Sequence, residues 1–232
     1  MSASPIATPQ ASLNQSTRLS HELREFQHRL STMLPPDVHA RLAAAIDGMV
    51  ATHPGAAALK VGQHAPEFEL PSVGGGTVAL ADALRAGPVV LTFYRGSWCP
   101  YCDLQLRAYA KLVPQLRGAS ARLLAVSPQL AEAAVPNADE HRGLGFPLLT
   151  DAGSAVARRY GLAYALDDAM RSVLLGFGLD LSLVNGVASW ELPVPATYVI
   201  APDRRIHWAQ VDDDYRRRAE PADILRAVND LA

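Results

Sequence analysis

The sequence predicts an α/β domain: a mixed central sheet covered by helices on both faces. Three observations carry this. First, Pro88-Val89-Val90-Leu91-Thr92-Phe93-Tyr94 and Arg122-Leu123-Leu124-Ala125-Val126 are short, almost continuous apolar runs rich in Val and Leu, the pattern of strands buried on both faces. Second, a helical pattern follows each, over 104–116 and 129–141, and strand–helix alternation favours parallel pairing. Third, Thr197-Tyr198-Val199-Ile200 and Ile206-His207-Trp208-Ala209-Gln210-Val211 flank the turn Pro202-Asp203-Arg204-Arg205, which adds an antiparallel hairpin and makes the sheet mixed.

Two segments divide the chain: an N-terminal extension over 1–58 and the α/β domain over 59–232. Residues 1–16 are small and polar, with Pro5 and Pro9, and read as disordered. Residues 17–52 read as two helices. Leu19, Leu23, Phe26, Leu30, Met33 and Leu34 form one apolar stripe, which Pro35-Pro36 ends. Val38, Leu42, Ile46, Met49 and Val50 form the next, ending near His53-Pro54-Gly55. Such a pair either packs as a helical hairpin on the next domain or serves as a dimerisation arm.

Phe68-Glu69-Leu70 and Thr77-Val78-Ala79-Leu80 flank Gly74-Gly75-Gly76 and read as a β-hairpin. No Gly-Lys-Ser/Thr follows, so the glycines are not a phosphate loop. Phe146-Pro147-Leu148-Leu149 suggests a short strand and 154–160 a short helix. Residues 164–190 resemble an insertion, and Pro221 to Leu231 is a closing helix with Ala222, Leu225, Val228 and Leu231 on one face.

Composition narrows the function classes. The 232 residues are 49% hydrophobic and 19% charged, enough for a buried core. The formal net charge of −2 gives no basic excess for a nucleic-acid backbone, so no nucleic-acid partner is expected. Neither a secretory signal nor a run of about 18 apolar residues is present, so no membrane partner and a cytoplasmic address are expected. Asp212-Asp213-Asp214 lacks calcium-loop spacing, and Arg216-Arg217-Arg218 reads as a solvated face.

The chemistry concentrates in Trp98-Cys99-Pro100-Tyr101-Cys102, which holds both cysteines of the chain. The motif follows a buried strand and opens a helix. Thiols at i and i+3 on a first helical turn come close enough to bridge, so Cys99 and Cys102 are expected to form a redox disulfide. The helix N-terminus favours a thiolate, and Arg95 and Arg107 add positive potential. Pro100 costs little in the first turn, where an N–H has no helical partner. Half a zinc site also reads Cys-x-x-Cys, but no further cysteine exists and the seven histidines are scattered. No metal and no cofactor are expected.

Phe93 to Cys102, followed by Pro195-Ala196-Thr197-Tyr198-Val199-Ile200, resembles the thioredoxin superfamily. Val61-Gly62-Gln63-His64-Ala65-Pro66-Glu67-Phe68-Glu69-Leu70 resembles the opening of the peroxiredoxins, the alkyl hydroperoxide reductase/thiol-specific antioxidant branch. The resemblance implies a thioredoxin fold with an N-terminal helical extension, a cis bond between Val194 and Pro195 facing the cysteines, and a site-shielding role for Trp98. Laid on the family motif with the peroxidatic cysteine at Cys102, the Thr/Ser position is Cys99, the Pro position is Arg95, and the family arginine falls on Pro195. Arg95, or Arg171 if the insertion folds back, is then left to restore positive charge.

The first functional reading is a thiol peroxidase. Cys102 attacks a hydroperoxide, Cys99 resolves, and a thioredoxin-like reductant completes the cycle. The alternative is a protein dithiol–disulfide oxidoreductase in which Cys99, the more exposed sulfur, attacks first. A third is a non-enzymatic redox-sensing module that uses the helical arm.

Overall fold

A computed structural model describes residues 18–134 and 143–231. The expectations for residues 1–16 and for most of a helix over 129–141 lie outside them. In the described part of the latter, a short helix covers Ala131–Ala134.

The domain is organised around strand β3 (Val89–Phe93), whose five residues are all buried. With β4 (Arg122–Ser127), β5 (Leu148–Thr150), β8 (Ala196–Ile200) and β9 (Ile206–Val211) it forms a five-stranded sheet in the order β5-β4-β3-β8-β9. The pairs β3–β4 and β4–β5 are parallel, whereas β8 runs antiparallel to β3 and to β9. A separate ribbon pairs β1 (Glu69–Pro71) with β2 (Thr77–Ala79), placing Leu70 opposite Val78 around the three glycines. The region 164–190 contains real elements. Strand β6 (Ala163–Ala165) pairs with β7 (Glu191–Pro193), and between them lie α8 (Asp168–Gly176) and α9 (Leu181–Val184). The Asp167 side chain caps α8 by accepting from the Met170 N–H at 2.8 Å.

Helices cover both faces of the sheet, and two apolar clusters result. One lies under α4 (Pro100–Ala110), α5 (Val113–Gly118), α10 (Pro221–Asn229) and the N-terminal arm. The other lies under α3 (Leu80–Leu84), α7 (Ala155–Arg159) and the β1–β2 ribbon. The single helix expected over 104–116 is two. Pro114 has no N–H and its ring would collide with the carbonyl four residues earlier, so the chain breaks after Ala110 and restarts with the proline in a first turn.

The arm comprises α1 (Leu19–Met33) and α2 (Pro36–Ala51), with Pro36 at the start of α2. It packs on the domain. Helix α1 packs on α4 and α2 packs on α8. Phe26 meets Tyr101 edge-on, with ring centroids 5.0 Å apart. The start of α1 is fixed by the opposite end of the chain, where the Glu220 carboxylate accepts from the Leu19 and Ser20 N–H groups at 3.1 and 2.9 Å. A carboxylate there satisfies donors that the helix cannot, and it meets the positive end of the helix dipole.

The expected cis bond at Val194–Pro195 is trans. The segment runs extended from β7 into β8, with the Val194 N–H donating to the Leu162 carbonyl at 2.8 Å. No turn reverses the chain there, so the ordinary trans preference of roughly 0.5–1 kcal/mol is unopposed.

Glu220→Ala is expected to lower unfolding stability by about 1–2 kcal/mol by uncapping α1. Urea denaturation followed by circular dichroism reads this, and an unchanged midpoint would show that the cap contributes nothing.

Candidate active site: a sulfur pair beside two buried arginines

Local sequence builds the frame of the site. Strand β3 ends at Phe93, and Tyr94, Arg95 and Gly96 carry the chain to the cysteines. Cys99 is the N-cap of α4 with extended backbone, and its carbonyl accepts from the Cys102 N–H at 2.9 Å and the Asp103 N–H at 3.1 Å. Gly96 has φ +149°, and a Cβ there would lie 2.2 Å from the Trp98 indole nitrogen. The loop is tied to the end of β4 by Gln129, whose amide oxygen accepts from the Ser97 N–H at 2.7 Å.

Both sulfurs are free thiols and both are buried, Cys99 at 1% and Cys102 at 0% exposure. Cys99, expected to be the more exposed sulfur, lines the cavity described below and Cys102 does not, but neither thiol reaches the surface. The two thiols are not equivalent. Burial pushes Cys99 well up, and its hydrogen bond to Cys102 adds to the effect. Burial also disfavours the charge on Cys102. There it is outweighed by the hydrogen bond from Cys99, the charge of Arg218, the Arg95 backbone N–H and the Arg95 charge, which together hold this thiol below its usual range. The negative charge of the pair settles on Cys102.

Sequence reading missed Arg218 as a site residue and assigned it to a solvated face. It is 6% exposed. Its Nη2 donates to Cys102 Sγ at 3.4 Å, its Nε to Gln105 Oε1 at 2.6 Å, and its Nη1 to the Arg217 carbonyl at 2.8 Å and to the Tyr215 carbonyl. Gln105 in turn donates to Thr92 Oγ1 at 2.9 Å, and Thr92 bonds Thr197 at 3.1 Å. A polar chain thus runs from β8 through β3 and α4 to the sulfur. Nothing in the run Arg216-Arg217-Arg218 marks its last member, because only Arg218 turns inward. Arg216 pairs with Asp214 at 2.8 Å instead.

The other expected residues separate. Arg95 is 2% exposed, with its guanidinium carbon 3.9 Å from the Tyr215 ring centroid and 5.0 Å from that of Trp98. Trp98 is half-buried and lines the same cavity as Cys99, a position suited to shielding. Pro195 is buried beside Arg218 and Thr197, lining a small crevice with them. Arg107 pairs with Asp103 on the exposed side of α4, so its charge is balanced there. Arg171 lies 5.1 Å from the Trp190 ring and serves the insertion. Among the described residues no group of three His, Cys, Asp or Glu side chains could hold a metal, and no helix is long and apolar enough to cross a membrane.

A cavity of about 470 Å³ opens beside the pair. Its walls come from the arm (Phe26, Leu30, Leu34), the end of α8 (Leu174, Phe177) and the Arg95–Tyr101 loop. The arm is therefore a wall of the site.

Comparison with known proteins places this architecture. The model of the AhpC/TSA family matches residues 61–209. The chain is 28% identical over 104 residues to the thiol-disulfide oxidoreductase ResA of Bacillus thuringiensis, a match covering 45% of this chain and 59% of that protein, less than two thirds of its length. A Mycobacterium tuberculosis protein named as a peroxiredoxin is 30% identical over 108 residues, covering 47% of this chain and 70% of its own. Among solved structures, the peroxidoxin BcpB of Mycobacterium tuberculosis superposes with a TM-score of 0.57 at 22% identity, over 75% of this chain and 99% of that one, a likeness of fold.

Ultraviolet thiolate absorbance should show one thiolate at neutral pH, protonated only well below the ordinary thiol pKa of roughly 8.5. The folded value lies below the unfolded one. Cys102 therefore contributes stability that is complete above the unfolded value and is lost as pH falls through the folded value, whereas the raised Cys99 works in the opposite sense, its contribution being lost as pH rises through its own folded value. Arg218→Met should move the titration up by about one unit or more. A titration unmoved by that change would sink the assignment of Arg218.

Proposed function

Because the chain belongs to the AhpC/TSA family, we propose that it is a thiol-dependent peroxidase in which Cys102 is the attacked sulfur and Cys99 the resolving one. The observation that carries this reading is the buried Arg218 Nη2 donating to Cys102 Sγ at 3.4 Å. It supplies the cation that the family motif appeared to have lost when Pro195 took the arginine position.

The cycle balances as follows. The Cys102 thiolate attacks the outer oxygen of a hydroperoxide, the O–O bond breaks, and Cys102 becomes a sulfenic acid. The leaving alkoxide or hydroxide takes a proton and departs as alcohol or water. Charge develops on that leaving oxygen, and a preorganised cation beside the sulfur stabilises it. Cys99, one helical turn away, attacks the sulfenic sulfur, expelling water and forming the disulfide. A thioredoxin-like dithiol then reduces the disulfide, which a reducing cytoplasmic setting supports. Cys99 lines the cavity and Cys102 is fully buried, so the hydroperoxide reaches Cys102 from within the protein rather than at its surface.

The dithiol–disulfide alternative draws support from the likeness to ResA and from the Cys-Pro-Tyr-Cys sequence. It is disfavoured by the burial of Cys99, which a partner protein's disulfide would have to reach.

Parallel assays of peroxide consumption and insulin reduction separate the two. Cys102→Ser should abolish peroxide consumption. Cys99→Ser should react once and then accumulate sulfenic and sulfinic acid, read by mass spectrometry. Arg218→Met should slow peroxide reduction by about 10²–10³-fold, the cost of one oxyanion donor. Insulin reduction without peroxide turnover would transfer the reading to the alternative.

A further inference from the structure

Three hydrogen-bond donors near the sulfur pair are buried without a partner among the described residues: Arg95 Nε, Arg95 Nη2 and Trp98 Nε1. The two arginine nitrogens lie on one edge of the guanidinium, the edge that meets a carboxylate with two parallel hydrogen bonds. The indole lies beside that guanidinium, 5.0 Å from ring centroid to Cζ. The cluster therefore offers donors and no acceptor, and it carries a positive charge. A buried donor left unpaired is costly and calls for an explanation.

Arg95 and Trp98 both line the cavity of about 470 Å³, whose other walls include Phe26, Leu30, Leu34 and Leu174. That volume lies within the ordinary range of small-molecule sites. Phe177, 49% exposed, sits at its rim. The cavity is apolar along its length and cationic at the sulfur end.

We propose that this cavity binds an apolar chain ending in a carboxylate, a fatty-acyl anion, with the head group on Arg95 and Trp98 and the tail between α1 and α8. The donors are buried on residues that line the cavity, so the carboxylate reaches them by displacing part of that wall. Cys99 lines the same wall, and an occupied cavity covers it. The anion also balances the Arg95 charge that otherwise favours the thiolate. The site thus goes beyond the peroxidase reading: it lets an amphipathic acid restrain the sulfur pair, and it stands whichever thiol chemistry the pair performs.

Calorimetric titration of the reduced full chain tests this with decanoate, decan-1-ol and acetate. Decanoate is expected to bind at least about tenfold more tightly than decan-1-ol, the added worth of a charge-assisted fork, and acetate far more weakly than either. Decanoate should also slow iodoacetamide labelling of the sulfur pair, mapped by mass spectrometry. Arg95→Gln should erase the preference for the acid over the alcohol. Because that change touches the core, Leu34→Trp at the half-buried cavity wall provides a second check and should weaken decanoate and decan-1-ol alike. Equal affinity for acid and alcohol, acetate binding as tightly as decanoate, or decanoate affinity unmoved by Leu34→Trp would each overturn the proposal. None of these measurements uses peroxide, so their failure is distinct from failure of the peroxidase reading.

Discussion

The site depends on placing a guanidinium, out of reach of water, against a sulfur. An isolated ion costs several kcal/mol to bury even after the protein relaxes, so the charge must find partners on every side. Arg218 does so with Gln105, two backbone carbonyls and Cys102. Each partner constrains an element. Gln105 is on the buried face of α4, the carbonyls belong to the turn after β9, and Gln105 is anchored through Thr92 to the central strand. The electrostatics of the sulfur and the packing of α4 on the sheet are one arrangement. Loss of either partner leaves the other buried and unpaired, which is the expensive outcome.

The same logic explains the unequal thiols. A mono-anionic pair shares one proton, and the sulfur nearer the cations keeps the charge. Cys102 accepts hydrogen bonds from Cys99, Arg218 and the Arg95 backbone N–H, whereas Cys99 gives its hydrogen bond to Cys102. Cys99 then serves as proton donor to its neighbour, which places the resolving thiol in contact with the reactive one before any chemistry begins.

The N-terminal helices complete the site. Phe26 meets Tyr101 edge-on and Tyr101 meets Tyr215 in the same way, and the Tyr215 ring centroid lies 3.9 Å from the Arg95 guanidinium carbon. An unbroken aromatic path connects the arm to the arginine beside the sulfurs. Glu220 pins the start of α1 only two residues from Arg218, so the covering helix and the sulfur's cation share one short segment of chain.

The sequence by itself determined the alternation of buried strands and amphipathic helices, the late hairpin, and the Cys-x-x-Cys at a helix start with its proline in the first turn. These are local patterns, written in residues a few positions apart: periodicity, caps and the missing N–H of proline. It also exposed Arg95 and Trp98, because they lie beside the motif. Tertiary structure decided the rest. Arg218 and Cys102 are 116 residues apart, and only the antiparallel placement of β8 and β9 beside β3 brings them together. Three consecutive arginines look alike in sequence, and which one turns inward is set by where a buried acceptor waits. The bond before Pro195 is trans because the chain runs straight from β7 into β8, and the arm walls the site because its apolar stripes find α4 and α8. Contacts between distant segments, made by burial and sheet order, chose the partners that local propensity leaves open.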